Sequence, residues 1–243
     1  KELNVHDDDI KMKEMLKEVD AICFDVDSTL IAEEGIDILA EYKGKGEQVA
    51  ALTRQAMEGK AVSFREALEQ RLHLIQPNFQ DIQTVLEQHP PVLSPGIDKV
   101  INVLHTLGIH VYIISGGFRQ MIEPVAIQLH IPLHRVYANH LVFDTMTGAY
   151  NGFDKQEYTS QDGGKPAVIQ LLKDSYEYKK IIMVGDGATD MQARPPADKF
   201  IGYGGVSERA NVKEGADWYI YNFDTLYDAL MEIKQEKDLK NDE

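Results

Sequence analysis

Strand-length apolar runs alternate with helical periodicities along most of this 243-residue chain, and that alternation leaves few folds open. The runs at 21–26, 111–114, 136–143, 180–184 and 200–203 are short enough for strands, while 97–107, 118–129 and 165–172 space their apolar residues as helices do. Met12, Met15, Leu16 and Val19 recur at helical spacing ahead of the first run. This rhythm predicts an α/β fold with a doubly wound, mostly parallel Rossmann-type sheet, in which ligands sit beyond the carboxyl ends of the strands. One block breaks it. From 33 to 89 no strand pattern appears, and Ile36, Leu39 and Ala40, then Val49, Leu52 and Ala56, then Phe64, Leu68, Leu72 and Ile75, then Ile82, Val85 and Leu86 mark about four helices. The block returns through "HPPVLSPG", whose prolines fix φ and cannot continue a helix. Residues 1–32 and 90–243 therefore read as the core and 33–89 as an inserted helical bundle. "DTMTGAYNGF" offers Gly148 and Gly152 as turn residues of a small β-hairpin flap, and the acidic end "KQEKDLKNDE" reads as frayed and solvated.

Composition narrows the partners. With 43% hydrophobic and 27% charged residues the chain is of ordinary globular type. No stretch reaches the roughly 20 apolar residues of a membrane span, and the start lacks a signal peptide's apolar centre, so a cytoplasmic protein is expected. The single cysteine, Cys23, excludes an intrachain disulfide and is expected to pack in the core. A net charge of −15 disfavours nucleic acid and anionic membrane as partners. It also requires that any phosphorylated substrate be met by local cations.

The stretch "AICFDVDST" ends an apolar run with two aspartates, Asp25 and Asp27. On an extended strand they share a face, roughly 7 Å apart. Carboxylates leaving water need a cation, a donor or a shifted pKa, and two side by side point to a cation. "IIMVGDGATD" repeats the pattern with Asp186 and Asp190, and two such strand ends form an oxygen-rich site suited to Mg²⁺. "IISGG" adds the Ser115 hydroxyl, with the N–H groups of Gly116 and Gly117 expected to face an anion at a helix start. Lys165, after Gly-Gly, supplies a point positive charge. Each feature alone reads as a cap, a turn or a surface charge; the ordered set does not.

"DVDST", "ISGG", the lysine of "GGK" and "GDGATD", in that order, resemble the four signature motifs of the haloacid dehalogenase superfamily. Longer segments, "CFDVDSTLIAEEGID", "ALTRQAMEG", "RLHLIQP", "ISGGFR", "YANHLVF" and "IIMVGDGATDM", resemble the eukaryotic phosphoserine phosphatase family within it. The resemblance implies hydrolysis of O-phospho-L-serine, the last step of L-serine biosynthesis, with the insert as a mobile cap and a homodimer as a state open to the chain. It implies that Asp25 is the nucleophile forming an aspartyl-phosphate and Asp27 the acid and base. Mg²⁺ would be held by Asp25, the Asp27 backbone carbonyl and Asp186, with Asp190 fixing the coordination. Ser115, Gly116 and Lys165 would bind phosphoryl oxygens. Glu34 would pair with the substrate ammonium and Arg71 with its carboxylate, while Met57, Glu58, Gly117 and Thr189 would line the serine site. Pro166, Arg194 and Glu58 depart from the family pattern. Arg54, Arg119 and Arg209 read as surface or supporting charges, and Phe64 as mostly core. A phosphatase for another ester is disfavoured by Glu34 and Arg71; a non-catalytic phospho-accepting receiver is disfavoured by chain length and Asp27.

Overall fold

The computed structural model describes residues 2–57 and 62–241. Six strands, β1 (Ala21–Phe24), β2 (His110–Phe118), β3 (Val136–Asn139), β6 (Ile181–Gly185), β7 (Lys199–Tyr203) and β8 (Trp218–Ile220), form a parallel sheet in the order β3-β2-β1-β6-β7-β8. All four residues of β1 are buried because the sheet is covered on both faces, which is why the sequence run is continuously apolar. Ile22 and Phe24 pack with Met12, Leu16, Ile101 and Leu230 on one face; Ala21 and Cys23 pack with Val168 and Leu172 on the other. These layers are built by α1 (Glu2–Glu18), α6 (Ile97–Thr106), α7 (Arg119–Gln128) and α11 (Phe223–Asn241) on the first side and α8 (Gly164–Tyr176) on the second. The chain winds outward from β1 through β2 to β3, then returns to place β6 on the other side of β1. A crevice opens at such a reversal, between the carboxyl ends of β1 and β6.

Several expectations change. The run at 136–143 breaks at His140: β3 stays in the main sheet, while β4 (Leu141–Phe143) pairs antiparallel with β5 (Tyr150–Phe153) as the expected hairpin. β8 has only three residues and carries no sequence signal of its own. The acidic end is helical through Asn241 rather than frayed, held by a Lys234–Asp238 pair at 2.7 Å and by Lys17 of α1 against Glu236 at 2.9 Å. Among the described residues no helix is long and apolar enough to cross a membrane.

Between Ile31 and Leu93 run four helices, α2 (Gly35–Tyr42), α3 (Gly46–Met57), α4 (Phe64–Ile75) and α5 (Phe79–Gln88). Reciprocal capping boxes, Ser63 with Glu66 and Asn78 with Asp81, start α4 and α5. Their apolar faces enclose a separate core of Leu39, Leu68, Leu72, Ile75, Ile82 and Val85, closed below by Phe118 and Leu141. The two ends of the insert meet at an antiparallel Ile31–Leu93 bridge, where Ser94 donates its N–H to Leu30 O at 2.8 Å and its hydroxyl to Thr29 O at 2.6 Å. Leu72 is fully buried in that core. Leu72→Ala is expected to lower unfolding free energy by about 2–5 kcal/mol in urea denaturation, and a loss under about 1 kcal/mol would contradict this packing.

Candidate active site

β1 stops at Phe24, two residues earlier than its apolar run, because the chain turns: Asp25 lies at φ −72°, ψ 162° and Ser28 takes φ +55°. The aspartates thus sit in the turn after the strand rather than on it. Asp25 N–H still donates to Val184 O of β6 at 3.0 Å, and Asp25 Oδ1 accepts Val26 N–H at 2.7 Å. Asp27 Oδ1 accepts the N–H of Gly35, at the start of α2, at 3.0 Å. Asp25 and Asp27 both line a cavity of about 300 Å³, shared with Asp186 beyond β6 and Asp190 on the short helix α9 (Ala188–Met191).

Asp25, Asp186 and Asp190 bring carboxylate oxygens within 4.8 Å of one another. Lys165 Nζ lies between two of them, 2.9 Å from Asp25 Oδ2 and 2.5 Å from Asp190 Oδ1. The other Asp190 oxygen accepts Gly187 N–H at 3.0 Å, so both its oxygens are engaged within the protein. Asp186 accepts the Thr29 hydroxyl at 3.1 Å on one oxygen and faces the Arg209 guanidinium at 3.4 Å on the other. Burial, then the charge of Asp25, pushes the Asp186 carboxyl upward. Burial alone would pull Lys165 down, but Asp190 and Asp25 outweigh it and hold the ammonium above the usual lysine range. Asp27 is raised well above the carboxylate range by burial, then by Glu34 and Asp25. Crowded oxygen donors of this kind fit a hard divalent cation.

Most of the candidate residues meet at this cavity: Glu34, Arg71, Gly116, Gly117 and Thr189 join the aspartates and Lys165 in its wall. Ser115 is different. It is fully buried beneath the wall, and its Oγ accepts Gly117 N–H at 3.0 Å. The expectation that Gly116 and Gly117 N–H groups open a helix toward an anion also needs correcting, since β2 runs on to Phe118 and α7 begins at Arg119. What the glycines provide is close approach: a Cβ at Gly116 would meet the Phe64 ring at 2.9 Å, and one at Gly117 would meet Asp27 Oδ2 at 3.1 Å. Pro166 lies in the first turn of α8, where an N–H has no helical partner to lose, so its departure is accommodated. Arg194 pairs with Asp217 and donates to Gly215 O at 3.0 Å, outside the cavity wall. Glu58 lies outside the described residues, as does the side chain of Met57, which ends α3.

Two residues that the sequence places outside the site, Phe64 as core and Arg209 as a surface or supporting charge, line the cavity. Phe64, in the first turn of α4, reaches it, and so does Arg209, which approaches Asp186 from the segment after β7. The position of Arg209 beyond a strand's carboxyl end was the available signal. Arg119 instead braces α7 through Glu123 at 3.0 Å and Leu133 O at 2.7 Å, and Arg54 is exposed.

A family model for haloacid dehalogenase-like hydrolases matches residues 19–198. A phosphoserine phosphatase of Bos taurus is 51% identical over 91% of this chain and 98% of its own length, and that of Homo sapiens is 49% identical over the same shares. Among solved structures, a phospho-aspartyl intermediate analogue of phosphoserine phosphatase superposes with TM-score 0.71 at 25% identity, covering 84% of this chain and 94% of that one. A phosphoserine phosphohydrolase-like protein from Francisella tularensis superposes with TM-score 0.73 at 27% identity, over 85% and 97% of the two chains.

A Cβ on Gly185 would lie 2.2 Å from the Asp190 carboxyl group. Gly185→Ala should therefore displace Asp190 from Lys165 and weaken divalent-cation binding about 10- to 100-fold by titration calorimetry. Unchanged affinity in a folded variant would show that Asp190 does not order the cluster.

Proposed function

This chain belongs to the phosphoserine phosphatase family of haloacid dehalogenase-like hydrolases, and from that premise we propose that it hydrolyses O-phospho-L-serine to L-serine and phosphate. The observation that carries the substrate is the presence of unlike charges, Arg71 and Glu34, near each other in the cavity wall. Arg71 is half-buried there, with no ion-pair partner among the described residues, its Nε donating to Ala67 O at 3.2 Å. Glu34, in the same wall, accepts the Ser28 hydroxyl at 2.8 Å and is raised first by burial. A planar carboxylate suits the guanidinium and an ammonium suits Glu34, so the amino-acid end of phosphoserine satisfies both. Esters lacking the carboxylate leave Arg71 desolvated and unpaired, which is the basis of selectivity. Gly117 and Thr189 complete the wall, and by the family resemblance Met57 and Glu58 are assigned to the serine site. Residues 33–89 act in this reading as the cap over a core of 1–32 and 90–243.

Mg²⁺ is the cation we assign, held by Asp25, the Asp27 carbonyl and Asp186, with Asp190 fixed beside them. When bound it supplies positive charge to the phosphoryl oxygens. The Asp25 carboxylate attacks phosphorus as the ester P–O bond breaks, and Asp27, raised and therefore able to hold a proton, gives that proton to the serine oxygen. Asp27 then takes a proton from the water that attacks the aspartyl-phosphate, which releases phosphate and restores Asp25. Lys165 neutralises charge on the transferring group throughout, with Gly116 beside it and Ser115 bracing Gly117 from below.

Phosphate release from O-phospho-L-serine should greatly exceed that from phosphoethanolamine or a sugar phosphate, and should vanish with EDTA and in folded Asp25→Asn. Turnover by that variant would overturn the nucleophile assignment. Arg71→Ala should raise KM for phosphoserine by about 10- to 100-fold, in keeping with loss of a charged hydrogen bond of roughly 1.5–3 kcal/mol. An unchanged ranking of substrates would remove Arg71 from the specificity argument.

A further inference from the structure

The two ends of the cavity belong to different packing units. Arg71 projects from α4, whose apolar face is in the insert's own core, whereas Lys165 opens α8 against the sheet. A substrate that touches both ends needs the two units held at a fixed spacing. At the first turn of α4, Arg65 donates from Nη2 to Lys155 O at 2.7 Å and to Ser160 Oγ at 3.0 Å, and from Nε to Ser160 O at 3.4 Å. Next to it, the Phe64 N–H, which has no partner inside the helix, donates to Asp162 Oδ1 at 3.1 Å.

The segment that receives Arg65 is itself anchored to the phosphoryl end. Ser160 is fully buried and donates its hydroxyl to Glu157 O at 2.8 Å. Thr159 donates to Asn139 Oδ1 at 3.0 Å, and the Asn139 amide donates to Gly116 O at 2.9 Å. Five residues after Ser160 the same segment delivers Lys165. A guanidinium fork that engages two carbonyls and a hydroxyl at once fixes direction as well as distance, which a point charge does not.

We propose that Arg65 is a positioning residue that sets the spacing between the carboxylate end of the pocket at Arg71 and the phosphoryl end at Lys165, an inference that rests on the phosphoserine reading. Substrate bridging both ends depends on that spacing; inorganic phosphate, confined to one end, does not.

The test compares KM and kcat for O-phospho-L-serine with the inhibition constant of inorganic phosphate in wild type, Arg65→Ala and Arg65→Lys. In Arg65→Ala, KM is expected to rise about tenfold or more, as misplacement of a remote contact does, with the phosphate inhibition constant within about twofold of wild type. Arg65→Lys should recover part of the KM, since an ammonium can still reach one carbonyl. A purely structural role would lower kcat through the folded fraction and leave KM alone. Equal rises in KM and in the phosphate constant, or an unchanged KM, would overturn the inference while the wild-type preference stands. Should Arg65→Ala not fold, the same comparison in Arg65→Lys decides. A wild-type protein that does not turn over phosphoserine overturns the activity reading, and the inference with it.

Discussion

Three buried aspartates, Asp25, Asp186 and Asp190, crowd their oxygens within 4.8 Å, and the rest of the molecule is arranged so that this can exist. Like charges out of water at such separations disfavour folding unless cations are built in beside them. The sheet order places β1 next to β6, so the two acidic strand ends must converge. Gly185 leaves room for the Asp190 side chain to tuck against the backbone, and Lys165 inserts its ammonium between Asp190 and Asp25. Each Asp190 oxygen thus has a partner within the protein, Lys165 on one and the Gly187 N–H on the other.

The same arithmetic explains how a chain with a net charge of −15 can take an anionic substrate. Among the described residues, six carboxyl groups and three basic side chains line the cavity. On its own that wall repels a phosphate ester. A divalent cation and one proton on a raised carboxyl such as Asp27 would together bring the formal deficit of three to zero. Arg209 matters in this balance: its 3.4 Å approach to Asp186 offsets the one carboxylate of the cluster that Lys165 does not pair with.

Much of this was legible in the sequence because it is written in local patterns. Strands buried on both faces give unbroken apolar runs, and the charges at their ends, Asp25, Asp27 and Asp186, stand out, while Lys165 stands out after Gly-Gly at a helix start. Helical periodicity gave four helices in the insert, and its packing against Phe118 and Leu141 follows from their apolar faces. What stayed hidden depends on partners distant along the chain. The Gly117 N–H could be assigned to an anion only until Ser115 Oγ was seen to take it. The break at His140 comes from the pairing of Leu141 with Phe153, and the helical C-terminus from contacts to α1, neither of which has a local signature. Arg65 likewise looks like an ordinary helix-surface charge; its partners are carbonyls about 90 residues away.

The division into two cores follows from the size of the chemical task. Phosphate monoester hydrolysis can demand acceleration of about 10²¹-fold, or about 29 kcal/mol at about 1.36 kcal/mol per decade. That total must be spread over several groups held in alignment, which calls for a rigid, charge-balanced floor. Both chain crossings of the insert lie at a single seam, the Ile31–Leu93 bridge. That seam is not remote from the chemistry: the Ser94 hydroxyl donates to Thr29 O, and the Thr29 hydroxyl donates to Asp186. The base of the insert is therefore tied through two hydroxyls to a carboxylate of the acidic cluster, so the seam and the floor share one hydrogen-bonded reference point.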